Sequence, residues 1–430
     1  MNTIMMSVDR NQVLESFRAD QEPEWGTAIR EQGFRLAEEL PLPKLEKTNI
    51  ERWNLGTFGE IRRPAQRDSL KDAGGATSEW IDSDNALVQR NSGIEFQRLA
   101  EELRGQGVIF TGLEQAVREY PELVKPYLMQ AVRADENRMT AIHAALWSGG
   151  AFLYVPKNVQ VEQPLQALFL LDDEEACFMP HVLIVAEENS SVTFVENAVS
   201  AVSRKHDQFG IMEVFVKRGA EVHVASVRGL GKQVTDMTYR RAHVEADGRI
   251  RWVVGEMNAG NAMADTASIL QGNGADSDAK VICVGAGGQH MNLTTRAVHI
   301  GQFSTSDMVT RAVMREDATA IINGITKIEK GASGTNGQQT EKVLMLSPKA
   351  RGDANPILLI DEDDVQAGHA ASVGQVNPEQ IFYLMSRGIA RGEAERLIVY
   401  GFLAPVISEI PNDRLRDRLQ SLAERKLGQA

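Results

Sequence analysis

Val192-Thr-Phe-Val-Glu196, Val222-His-Val-Ala-Ser-Val227 and Arg249-Ile-Arg-Trp-Val-Val254 share one texture: apolar and polar residues alternate with period two. Alternation of that kind puts one face of an extended chain in a core and the other toward solvent, and the β-branched residues filling these runs suit a pleated surface. Clusters of small turn formers separate the runs: Asn189-Ser-Ser191, Gly219-Ala-Glu221, Asp247-Gly248, Gly272-Asn-Gly274, Asp317-Ala-Thr319 and Gly331-Ala-Ser333. Proline is absent from 182 to 347, as expected of strands whose N–H groups all enter a ladder. So many consecutive strands must close, stack as two sheets or coil. The turn clusters recur at loose intervals and lack hairpin Asn-Gly pairs, which favours a β-helix solenoid over 151–376, with a long β-sandwich as the competing architecture.

Outward from this zone the texture changes on both sides. Residues 1–150 read as mostly helical. A helix from Glu24 to Leu40 stops before Pro41-Leu42-Pro43, and helical periodicity returns at Glu95–Leu103 and Leu113–Tyr120. The clearest helix, Asp135 to Ser148, is followed by Gly149-Gly150. Between Pro41 and Asn91 the chain reads as loop. Residues 377–430 form a second helical region. Asn377-Pro-Glu-Gln380 supplies a cap and a first-turn proline, a further helix begins at Glu393 and is bent or ended near Pro405, and a last one from Asn412 carries Leu415, Leu419 and Leu422 on one face.

Composition narrows the function classes. With 43% hydrophobic and 24% charged residues the chain can bury a core. A formal net charge of −13 argues against nucleic-acid or anionic-membrane partners. Met1 to Asp20 is polar, without the apolar stretch of a secretory signal, and no apolar run approaches the ~20 residues that span a bilayer. Two cysteines, Cys177 and Cys283, exclude a disulfide framework and suit a reducing compartment, so a cytoplasmic location is expected.

Self-contained chemistry is hard to find. Gly229-Leu-Gly-Lys232 lacks the spacing and hydroxyl of a phosphate loop. Cys177 and Cys283 sit in apolar text as packing residues, with a sulfur-carrying role for Cys283 as the sharper reading. The histidines are dispersed. The acidic run Asp361-Glu-Asp-Asp364 cannot converge on one cation from an extended chain and reads as a solvated turn. His369 stands apart, in Ala367-Gly-His-Ala-Ala-Ser372, where small neighbours leave an imidazole accessible. A structural role and a metal-ligand role both remain open there on the residues alone.

Ile360-Asp-Glu-Asp-Asp-Val365, Gly368-His-Ala-Ala-Ser-Val-Gly374 and Glu379-Gln-Ile-Phe-Tyr-Leu-Met-Ser-Arg-Gly-Ile389 resemble the signature of the SufB/SufD iron–sulfur cluster assembly scaffolds. Far upstream, Ala144-Ala-Leu-Trp-Ser-Gly-Gly-Ala-Phe-Leu-Tyr-Val-Pro-Lys157, leading to Gln163-Pro-Leu165, is a second match. The resemblance implies a mainly β protein, a right-handed parallel β-helix core flanked by helical domains. It implies a non-catalytic scaffold in a complex with a SufB-type paralogue and the SufC ABC-type ATPase, which would supply the missing phosphate loop. SufB-type chains carry His-Glu-Ala-Thr where His369-Ala-Ala-Ser372 stands, and a cysteine in the strand before the acidic run, where this chain reads Asp353-Ala-Asn-Pro356. Both absences favour the SufD-type branch. That branch places the histidine matching His369 at the interface with SufB, in contact with a transient cluster and no stably held cofactor. The ATPase contact is expected among 389–410, notably Leu397, Ile398, Phe402 and Leu403. The isolated chain could pair with its own copy. Two alternatives remain: a SufB-like scaffold holding its own cluster, and a cytosolic carbohydrate-active β-helix enzyme.

Overall fold

Period-two alternation becomes nineteen strands among the described residues of the computed structural model, which are 8–70, 80–81, 83–410 and 413–427. The early ones are β1 (Ala86–Arg90), β2 (Gly93–Arg98), β3 (Ile109–Gly112), β4 (Ala151–Val155), β5 (Leu165–Leu171) and β6 (His181–Ala186). The middle ones are β7 (Ser191–Ser200), β8 (His206–Val216), β9 (Glu221–Gly229), β10 (Val234–Val244), β11 (Arg249–Glu256) and β12 (Ala262–Leu270). The last are β13 (Asp276–Gly285), β14 (His290–His299), β15 (Thr305–Met314), β16 (Thr319–Ile328), β17 (Thr335–Met345), β18 (Arg351–Ile360) and β19 (Val365–Gln375).

Each strand from β4 onward pairs in parallel with the strand two later, never with the next one. The result is one sheet in the order β19-β17-β15-β13-β11-β9-β7-β5-β1-β2 and another in the order β18-β16-β14-β12-β10-β8-β6-β4-β3. The chain therefore alternates between two sheets and winds a parallel β-solenoid. Register is kept without slip over many turns: Glu221 faces Arg249, which faces Asp276, then Thr305, Asn336 and Gln366. A one-residue slip would turn the whole inward set outward, so the buried lumen itself pins the register.

The turn clusters stack as regularly. Asn189, Gly219, Asp247, Gly274 and Gly334 all have left-handed φ, between +58° and +72°. The amides of Asn189, Gly219, Asp247, Gly274 and Gly334 each donate to a carbonyl one turn onward, those of Arg218, Ala246, Asn273, Gln302 and Asp364. Asn, Asp and Gly recur in the sequence at these corners because they tolerate that conformation.

Two features depart from the sequence reading. The solenoid begins inside the segment expected to be helical: β1, β2 and β3 lie before residue 151, with β1 adding in parallel to β5 and β2 and β3 closing the two sheets by antiparallel pairs. The expected helix at Glu95–Leu103 is instead β2, followed by a short helix over Glu101–Gly105, because pairing with β1 outweighs local helical periodicity. Residues 71–79 and 82, within the stretch that the sequence reads as loop, lie outside the described residues, as do 1–7, 412 and the side chain of Leu415.

Helices clothe the two sheets. The N-terminal layer is α1 (Arg10–Ala19), α2 (Glu24–Glu39), α3 (Glu101–Gly105), α4 (Leu113–Glu119), α5 (Pro121–Val124) and α6 (Arg138–Leu146). Its apolar side packs on the outer face of the even-numbered sheet, against Phe209, Ile211, Phe215, Met237 and Met263. Helix α6 is started by Asn137, two residues later than the expected Asp cap, through a box with Thr140. The C-terminal layer is α7 (Pro378–Ser386), α8 (Arg391–Ile407) and α9 (Asp413–Lys426), with Asn377 capping α7 as its spacing predicts. Helix α8 runs through Pro405 to Ile407. The proline breaks one hydrogen bond near the end of the helix, while Leu403, Val406 and Ile407 on both sides of it are anchored on the odd-numbered sheet. No described helix is long and apolar enough to cross a membrane.

Candidate functional site: the open terminal turn

Among the described residues no further strand follows the last turn of the solenoid. β18 and β19 are the outermost strands of their sheets, and each leaves one edge unpaired. Leu359, Ile360 and Val373 are large apolar side chains exposed on them. An exposed apolar sheet edge is a template for another chain, so this end of the molecule is built to be covered.

His369 sits in the middle of β19, opposite Gln339 of β17. Gln339 points inward, so parallel register puts His369 on the lumen side of the terminal turn, exposed because no further turn covers it. Its neighbours Ala367, Gly368, Ala370 and Ala371 leave it unobstructed, as the sequence suggests. Among the described residues no three His, Cys, Asp or Glu groups come together as a metal site. Any ion held by His369 therefore draws ligands from fewer of this chain's side chains than a full set.

Below this rim the lumen changes chemistry. Earlier turns are filled by Leu, Val, Ile and Phe, whereas the last ones bury Thr310, Thr326, Gln339, Glu341 and His299. His299 is held between Ser304 and Ser306, both at 2.9 Å, and burial lowers its pKa to about 4. Gln339 accepts from the Thr326 hydroxyl at 2.9 Å. The Glu341 carboxylate is buried, and desolvation lifts its pKa to about 7. The sequence reading missed Glu341. Its signal is parity: in Thr335-Asn-Gly-Gln-Gln-Thr-Glu-Lys-Val343 an acid shares the inward register with Gly337 and Val343.

The acidic run before β19 is a turn. Glu362 accepts from the amides of Gly331 and Asp363, with Lys330 3.5 Å away, while the fully exposed Asp363 lies 3.9 Å from the same lysine. The carboxylates do not converge. Cys177 and Cys283 are both fully buried, and burial pushes each thiol up to about 12, so neither is a ready nucleophile in this state.

The four residues assigned to an ATPase contact divide. Leu403 is buried against the odd-numbered sheet with Val399, Val406 and Ile407, and Phe402 packs partly on the same cluster. Ile398 is half-buried and Leu397 exposed. The exposed apolar row in this layer consists of Phe382, Tyr383 and Met385 on α7 with Leu397 and Tyr400 on α8. The α7 part of that row lies outside the segment the sequence reading chose.

Fold and site together define a solenoid platform whose available histidine and unpaired edges meet at one end. Two family models match, the SufBD core domain of the SUF system for FeS cluster assembly over residues 169–402 and the SufBD protein N-terminal region over 81–167. The chain belongs to the SufB/SufD family of iron–sulfur cluster assembly proteins. Within it, the chain is 46% identical to the iron-sulfur cluster assembly protein SufD of Bacillus subtilis, over 98% of both chains. It is 28% identical to an iron-sulfur cluster assembly SufBD family protein of Staphylococcus haemolyticus, over 93% of this chain and 89% of that one.

Proposed function

We propose that this chain is the SufD-type subunit of a cytoplasmic iron–sulfur cluster assembly complex, a non-catalytic scaffold whose terminal turn docks edge to edge on a SufB-type paralogue. The observation that carries this reading is the open end: the free outer edges of β18 and β19, with His369 on the lumen side of the rim. Near-full-length similarity to SufD supports it. The SufC ATPase binds the C-terminal helical layer, where Phe382, Tyr383, Met385, Leu397 and Tyr400 stand exposed. ATP-driven closure of SufC shifts the pairing of the two solenoids only by its differential affinity for their two arrangements. Opening brings His369 beside the ligands of SufB, and the cluster is held there transiently.

Co-expression with a SufB-type chain and SufC tests this. A ternary complex is expected, and His369→Ala should leave it assembled while abolishing the visible absorption of reconstituted cluster. Unchanged cluster formation by the variant complex, or a stable cluster on the isolated chain after anaerobic reconstitution, would overturn the reading.

A further inference from the structure

Glu341 is an ionisable group that the proposed function leaves idle. Its carboxylate reaches across the lumen to Gly324 of β16, where even a methyl group would collide with it, and such a methyl would also lie 3.4 Å from the Gln339 amide carbon. Glu341 Oε2 and Gln339 Nε2 are both buried without a hydrogen-bond partner. No described Lys, Arg or His is paired with the carboxylate, and the hydrogen bond it receives comes from its own backbone. Three other buried acids are paired with arginine: Arg228 binds Glu196 and Asp236 at 3.0 and 2.6 Å, and Arg240 binds Glu256 at 3.0 Å. An unpaired carboxylate costs stability wherever it is buried, and burial here holds the acid near a pKa of about 7.

The cover over this group is thin. In register, Ala371 lies above Glu341 and Pro356 above Gly324, and His369 lies above Gln339. His369 and Glu341 are thus offset by two residues on the lumen side of adjacent parallel strands, about 8 Å apart at Cα from the ~4.8 Å strand spacing and ~3.3 Å rise per residue. That spacing lets an imidazole and a carboxylate reach one ion between them. Ferrous iron accepts both donor types.

We propose that His369 and Glu341 form a half-site for ferrous iron in the terminal turn, with the imidazole offered from the rim and the carboxylate from the rung below. Water or the partner subunit completes the coordination. The proposal rests on the reading of His369 as the cluster-assembly residue and adds the ligand that the open end conceals. The competing occupant is one water bridging Glu341 Oε2 and Gln339 Nε2.

Cobalt(II) titration of the full-length chain, read by its visible ligand-field bands, separates the two. The wild type should bind one cobalt, and Glu341→Gln and His369→Ala should each weaken binding at least about tenfold. Thermal unfolding guards against misfolding, because Glu341→Gln removes an unpaired charge and should melt no lower than wild type. Undiminished cobalt binding by Glu341→Gln, or no protein-bound cobalt spectrum from the wild type, overturns the half-site. Cluster formation in the assembled complex keeps the two readings distinct. Loss with His369→Ala but not with Glu341→Gln removes the half-site and leaves the SufD-type role standing, whereas no loss with His369→Ala removes both.

Discussion

Arg30 is fully buried, its guanidinium 3.3 Å from the centroid of Phe17 and 4.2 Å from that of Trp147. It pairs with Glu22 at 2.8 Å and donates to the carbonyls of Ala145 and Trp147, tying α2 to α6. Removing one partner of a buried pair leaves the other charge stranded, so Arg30→Ala should cost about 3–5 kcal/mol. A urea midpoint within error of wild type would show that this contact holds nothing. His299 gives the molecule a pH response. Its folded pKa of about 4 lies below the ~6.5 of an unfolded histidine, so the unfolded chain takes up the proton first as pH falls. Stability from this group is present above pH ~6.5 and drains between there and pH ~4, by up to about 3 kcal/mol. His299→Gln should flatten that part of a melting-temperature profile, and parallel profiles would refute the assignment. Neither role is written in the sequence around the residue. Arg30 looks like a surface cation of an amphipathic helix until Phe17, Trp147 and Glu22 are brought around it.

At the level of elements, the C-terminal layer shows how one apolar helix is shared between two tasks. The sequence of α8 marks Leu397, Ile398, Phe402 and Leu403 as apolar, but only docking on β13 and β15 decides which are core. Leu403→Ala should destabilise the protein by about 2–5 kcal/mol, as a cavity against Val313 and Ile282. Leu397→Ala, combined with Phe382→Ala, should leave the melting temperature within about 2 °C while weakening co-purification with the ATPase. Equal melting losses for both variants would erase the distinction. Helix existence was legible here from caps, as at Asn377, whereas the course of α8 past Pro405 was not. That depends on contacts made by residues on both sides of the proline.

For the whole molecule, the open end governs behaviour. Leu359, Ile360 and Val373 expose apolar surface beside unpaired backbone, the combination that recruits another strand. A lysine at Val373 should therefore block pairing with the SufB-type chain, or with a second copy, and leave the fold intact, since a charge at an exposed edge costs little. Size-exclusion chromatography with light scattering checks this, and unchanged association would move the interface elsewhere. Alternation, turn residues, the proline-free stretch and the helix caps are local properties of the chain, so a strand-rich core flanked by helices was determined by the sequence alone. The family followed from the motif around His369. The tertiary structure alone decided that β1 to β3 join the solenoid, that Leu403 faces inward, and that Glu341 lies one rung beneath His369. These depend on residues from thirty to more than a hundred positions apart coming together, and the buried lumen enforces the register only once the turns have stacked.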